Sequence, residues 1–155
     1  MLIHGIVSLV AVLPIVLASN RRLVYGALAF AGGPALDLDH AVAAGSLNPR
    51  ALEELAHRPY THSLLFAVAL TFLALALTRS RVAAWSVFAV IAAHLLFDGA
   101  GGDELVLYPL KNPDALPWLA CPTGLLVLTA VSWAIVRARS RLVTVEPRVI
   151  SQRSS

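Results

Sequence analysis

The chain alternates long apolar runs with short polar hinges. The runs fall at approximately Leu2–Ser19, Leu23–Leu36, Ser63–Thr78, Val82–Phe97 and Trp118–Val136. Several are shorter than the ~20 residues a helix needs to cross a hydrocarbon core, so some polar groups must lie below the membrane surface. The first run has the apolar length and small-residue end of a secretory signal, but no Lys or Arg precedes it, and it is read as a retained span. Between spans two and three, Asn48-Pro49 supplies an N-cap and first helical residue for a short surface helix through Ala56. The Gly- and Pro-rich segment Gly99–Pro117 reads as an irregular loop that could cover a site, with Asp103, Glu104, Tyr108 and Lys111 as its polar content. The pattern predicts an all-α, polytopic membrane helical bundle of about five spans. Residues 1–142 form one transmembrane domain, and 143–155, which lack an apolar pattern, form a mobile cytoplasmic tail.

Composition supports this solvent assignment. The 155 residues are 58% hydrophobic and 14% charged, and the mean hydropathy is +0.76. Soluble domains are about 45–50% apolar and about 25% charged. The net charge of +3 would suggest a nucleic-acid partner for a soluble protein. Here the basic residues lie in hinges and tail, which orients a membrane protein and argues against nucleic acid. Arg21 and Arg22 follow span one, Arg79 and Arg81 follow span three, and Arg137, Arg139 and Arg141 follow span five, all on one side. The other side holds Arg50, Arg58 and Lys111. The positive-inside rule then places the N-terminus outside and the C-terminus in the cytoplasm. Cys121 is the lone cysteine, which excludes an intrachain disulfide and a Cys-based zinc knuckle.

On that topology His4, Asp37, Asp39, His40, His57, His62, His94 and Asp98 all fall at the outer end. The orientation was set by Lys and Arg alone, so the convergence of all five histidines is independent of it. Ionisable groups at a bilayer edge are costly unless they pair or bind a cation. His94-Leu-Leu-Phe-Asp98 has i, i+4 spacing, which puts imidazole and carboxylate on one helical face about 5–6 Å apart at Cβ. A plain His–Asp hydrogen bond between packed helices is the alternative. Asp37-Leu-Asp39-His40 follows Gly32-Gly33-Pro34, which would loosen the helix and let neighbouring carboxylates converge; an ordinary acidic turn is the alternative. In His57-Arg58-Pro59-Tyr60-Thr61-His62, Thr61 can cap the helix opened by His62, and Arg58 can clamp a phosphate or simply anchor to headgroups. His4, near a terminus, is either a ligand or an interfacial histidine. Trp85, Trp118 and Trp133 read as interface anchors or lipid-facing bulk, and Ser86 and Ser132 as bonded within their own helices.

The ordered set His4, Leu38-Asp39-His40, His57-Arg58-Pro59-Tyr60-Thr61-His62-Ser63 and His94-Leu-Leu-Phe-Asp98 resembles the YdjM-like family of bacterial and archaeal inner-membrane proteins, described as metal-dependent hydrolases. The resemblance covers about residues 1–110. That family is in turn distantly similar to zinc-dependent phospholipase C, with its His-x-x-x-Asp metal pair on a helix. Two departures stand out. Pro34-Ala-Leu-Asp37 stands where Pro-Asp is usual, and Gly99-Ala-Gly-Gly-Asp103 replaces a Thr-containing turn, which ranks Asp39 above Asp37 as a ligand.

The resulting expectation is a hydrolase of the inner membrane that cleaves a lipid or lipid-linked phosphoester at the outer leaflet. One to three divalent ions, zinc first, would be held by His4, Asp39, His40, His62, His94 and Asp98, with Asp37, His57 and Arg58 in catalytic roles. Self-association into a homo-oligomer is compatible with the sequence. The competing class is a metal-stabilised membrane scaffold or partner-binding protein without catalysis; transport would need polar residues deep in the spans, and spans one, three and five offer almost none.

Overall fold

The computed structural model describes residues 2–46, 48, 61–100, 117 and 119–151, with side chains as far as Arg141. The described residues form α1 (Leu2–Ala18), α2 (Arg22–Leu36), α3 (Leu38–Ala44), α4 (Leu64–Thr78), α5 (Arg81–Ala100) and α6 (Ala120–Ser151). No strand occurs among them. Each apolar run of the sequence becomes a helix, with ends displaced by a few residues except at the last, which runs fifteen residues past Val136. Two stretches, Arg81–Ala100 and Ala120–Arg141, are long and apolar enough to cross a membrane, and Leu2–Ala18 and Leu64–Thr78 are shorter apolar helices. α6 keeps helical backbone to Ser151, through residues whose sequence shows no apolar pattern. The expected surface helix up to Ala56 and nearly all of the loop between α5 and α6 lie outside the described residues.

α5 is the hub, packed against α1, α2, α4 and α6, while α1 also packs against α2 and α6. One core combines Ala11, Val12 and Val16 of α1 with Ala29 of α2, Ala89 and Ala93 of α5 and Leu128 of α6. A second joins Ala67 of α4 to Ile91 and Leu95 of α5, with Leu36 packed against it. Large apolar side chains such as Leu23, Leu77, Leu126 and Phe72 point outward. In lipid there is little hydrophobic drive between helices, so association rests on close packing and interhelical hydrogen bonds. The small residues at these contacts serve that packing.

The closest approach is between α1 and α2. A Cβ added to Gly33 would lie 2.5 Å from the His4 carbonyl oxygen and 2.5 Å from Ser8 Oγ, and one added to Gly5 would lie 2.8 Å from the Phe30 carbonyl oxygen. Gly32, Gly33 and Pro34 remain inside α2, which runs on to Leu36. The glycines therefore bring two backbones together instead of loosening the helix, as the sequence had suggested. Asp37, in αR conformation, is the single residue between α2 and α3.

Pro14 lies inside α1. Its missing N–H frees the carbonyl of Val10 one turn back and its ring crowds that turn. Thr129 Oγ1 shares its one proton between the Leu125 carbonyl of its own helix at 2.8 Å and the Val10 carbonyl at 3.2 Å, and buried Ser132 Oγ donates to the Ala11 carbonyl at 2.7 Å. Trp85 Nε1 donates to Ser132 Oγ at 2.8 Å. Ser132 and Trp85 thus join three helices: Ser132 bonds another helix instead of its own, and Trp85 belongs to the packing instead of the lipid-facing surface. Ser86 does bond within its helix, to Val82. Trp133 is half exposed, with the Arg137 guanidinium 3.8 Å above its ring.

Candidate metal centre

Four helix ends meet at one end of the bundle, opposite the ends that carry Arg21, Arg22, Arg79 and Arg81. α1 contributes His4 from its first turn, and the α2–α3 joint contributes Asp37, Asp39 and His40. The segment before α4 contributes Thr61 and His62, and the end of α5 contributes His94 and Asp98. The α4 start is fixed by Ser63, whose Oγ accepts from the Phe66 N–H at 3.3 Å. Ser63, not Thr61, is the N-cap, and Thr61 Oγ1 instead donates to Asp39 Oδ2. This frees His62 to turn inward. His62 and His94 are fully buried and His40 nearly so.

Two imidazole nitrogens and two carboxylate oxygens converge at the centre. His62 Nε2 and His94 Nε2 are 3.0 Å apart. Asp98 Oδ2 lies 3.0 Å from His94 Nε2 and 3.7 Å from His62 Nε2. Asp37 Oδ1 lies 3.5 Å and 3.9 Å from the same two atoms. Zinc bound at about 2.0–2.1 Å in a tetrahedron would separate its donors by about 3.3 Å. These five distances scatter around that edge. Asp98 Oδ2 is also buried with no hydrogen-bond partner among the described residues, although His94 Nε2 is so close. An ionised oxygen in that state is poorly satisfied without a cation. The residues present therefore fit a divalent metal ion. Three sets have donor atoms mutually within 4.8 Å: His62, His94 and Asp98; His4, Asp37 and His94; and Asp37, His40 and His62.

A surrounding layer orients these donors. His62 Nδ1 faces Asp39 Oδ2 at 3.2 Å, so its N–H points to the carboxylate and the Nε2 lone pair to the centre. His40 Nδ1 lies 3.0 Å from Asp39 Oδ1, and its ring meets His62 edge-on at 4.4 Å between centroids. His4 Nδ1 lies 2.8 Å from Asp37 Oδ2, and its Nε2 lies 3.2 Å from Asp98 Oδ1. Burial disfavours charge on His62, but carboxylates Asp37, Asp39 and Asp98 outweigh it and hold its pKa above the ordinary value. Burial likewise opposes ionisation of Asp37. The hydrogen bond from His4 and the nearby His62 imidazole overcome it and hold the carboxyl below the usual carboxylate range.

Of the residues singled out in the sequence, His4, Asp37, Asp39, His40, His62, His94 and Asp98 come together, whereas His57 and Arg58 lie outside the described residues. Asp37, ranked below Asp39, has the oxygen that faces both central imidazoles, and Asp39 stands behind His62. Sequence reasoning missed Gly5 and Gly33, whose close packing sets His4 beside Asp37. The spacing Ala29-x-x-x-Gly33, two small residues one helical turn apart, was the signal available for it.

Neither a curated protein nor a solved structure matches the chain. A family described as YdjM inner membrane protein matches residues 1–151. With that match spanning nearly the whole length, the chain belongs to the YdjM inner membrane protein family.

Proposed function

We propose that this protein is a polytopic, metal-dependent hydrolase of the inner membrane that cleaves a phosphoester in a lipid or lipid-linked substrate at the outer leaflet. The observation that carries the reading is the convergence of His62 Nε2, His94 Nε2, Asp98 Oδ2 and Asp37 Oδ1, with five of their separations between 3.0 and 3.9 Å. The placement of arginines at the opposite helix ends supports five spans with the N-terminus and the site outside. His62, His94 and Asp98 would hold the metal, zinc first, while His40 with Asp37 and His62 offers donors for a further ion.

A cation bound there would lower the pKa of a water from about 15.7 toward about 7 and neutralise charge on phosphoryl oxygens. Asp37 Oδ1 is the most distant of the four donors, and its side chain is 14% exposed against 8% for Asp98 and 2% for His62. It is the carboxylate placed to accept the proton of an attacking water. His62 is kept in the right tautomer by Asp39. Arg58, close to His62 in sequence, is assigned to the phosphate, and His57 to the support of the metal ligands.

The competing reading is a metal-stabilised scaffold, and one observation favours it. Four protein donors around one point make a closed shell, as structural zinc sites do. Elemental mass spectrometry of detergent-purified wild type and of the His94→Ala/Asp98→Ala variant tests the site. Stoichiometric metal in the first and background in the second is expected, followed by hydrolysis of phospholipids or lipid phosphates by the wild type. Equal metal in both sinks the site assignment, and metal without hydrolysis selects the scaffold.

A further inference from the structure

Within the proposed metal centre, His4 differs from the other histidines. Its two ring nitrogens face two different carboxylates, Nδ1 at 2.8 Å from Asp37 Oδ2 and Nε2 at 3.2 Å from Asp98 Oδ1. These are the outer oxygens. The inner ones, Asp37 Oδ1 and Asp98 Oδ2, are those beside His94 and His62. An imidazole has only two nitrogens, so a ring engaged with a carboxylate on each has no lone pair left for a metal. The ring is also fixed from its faces and edge, with His94 at 4.3 Å and Phe97 at 5.1 Å between centroids. Its backbone is held by the Gly33 contact.

We propose that His4 is a positioning residue that ties Asp37 and Asp98 together from behind, so that each carboxylate turns only one oxygen toward the metal, Asp98 Oδ2 as a ligand and Asp37 Oδ1 as the base beside it. This inference rests on the metal-centre reading and changes its chemistry. Carboxylates limited to one oxygen keep the coordination number low, which favours tetrahedral zinc over cations that demand six or more oxygens. It also removes His4 from the ligand set, although its nitrogens lie close enough to Asp37 and His94 to suggest ligation.

The test is zinc K-edge X-ray absorption on the full chain in detergent at one equivalent of zinc, together with zinc affinity by competition with a chelating dye. Wild type is expected to show two imidazoles on zinc. His4→Ala is expected to show the same two with affinity lower by about 10–100-fold, and His4→Gln, which keeps one amide donor, to fall between. Three imidazoles in wild type with one lost in His4→Ala would make His4 a ligand and overturn the proposal, as would unchanged affinity in both variants. If His4→Ala does not fold, the imidazole count and affinity of His4→Gln decide alone. A wild type that binds no zinc would overturn the metal centre itself, an outcome distinct from failure of the clamp.

Discussion

The hydroxyl seam between α1 and α6 and the imidazole–carboxylate cluster at the start of α1 both set polar atoms inside an apolar bundle, yet they are assembled differently. In the seam, Trp85, Ser132 and Thr129 are neutral donors, each with an acceptor within 3.2 Å, and the acceptors are backbone carbonyls or another hydroxyl. Polarity there is used up locally. In the cluster, the ionisable side chains of His4, Asp37, His62, His94 and Asp98 crowd one point, and buried Asp98 Oδ2 and His94 Nδ1 find no hydrogen-bond partner among the described residues. A seam that satisfies itself is architecture. A cluster that crowds imidazoles and carboxylates round one point and leaves Asp98 Oδ2 without a hydrogen bond has the donor set of a metal site, and the contrast separates two uses of polar residues in one bundle.

The sharpest way to break this contrast is to remove one member of each region. Asp98→Ala takes away one of the carboxylates that face His4 and His94 and leaves them Asp37, and breaking a buried ion pair costs up to about 3–5 kcal/mol. Bound metal is expected to fall to background in elemental analysis, with a large drop in thermal stability in detergent. The approach of α1 to α2 ranks second. Gly33→Ala places a Cβ against backbone at 2.5 Å, and overpacking of that kind costs about 1–3 kcal/mol, so lower stability and weaker metal binding are expected together. Gly26→Ala is the control: its Cβ would sit 3.5 Å from Val16, in ordinary contact, and both readouts should hold or improve.

Proton competition comes next. Because its carboxylate neighbours raise the pKa of His62, the proton on His62 favours the metal-free fold below the ordinary imidazole value, and that contribution is lost as pH rises through the raised value. Metal must displace this proton. Affinity should therefore rise with pH by up to about tenfold per unit per proton released, levelling off above the raised pKa. Calorimetry in buffers of different ionisation enthalpy counts the protons, and a count of zero would remove His62 from the centre. The smallest effect belongs to the seam. Ser132→Ala should cost about 0.6–1.7 kcal/mol of stability, the range for interhelical hydrogen bonds in membranes, and leave metal stoichiometry unchanged. Loss of metal in Ser132→Ala would erase the distinction between the two regions.

Much of this architecture was legible in the sequence because its two strongest signals are one-dimensional. Apolar run length located the helices, and the i, i+4 pair His94 and Asp98 needed only helical geometry to face one way. What stayed hidden depended on contacts between distant segments. Asp37 and Asp39 are two residues apart, and only the continuation of α2 through Pro34, with a restart at Leu38, turns Asp37 toward the imidazoles and Asp39 behind His62. Thr61 was taken for a cap because its residue type suits one, but Ser63 occupies the extended N-cap position. Ser132 offered no local sign that its partner lies 121 positions away.

That separation bears on biogenesis. The chain is made from α1 toward α6, so the Val10 carbonyl that Pro14 leaves without its helical N–H, and the Ala11 carbonyl beside it, are made before the hydroxyls of Thr129 and Ser132 exist to meet them. Until α6 arrives, the Val10 carbonyl has no donor from Thr129, and an unmet backbone acceptor in apolar surroundings costs several kcal/mol. Assembly is therefore closed by the contact between the two ends of the chain. A ribosome product that stops before α6 holds a complete set of metal-centre side chains on an unfinished first helix, a natural substrate for membrane quality control.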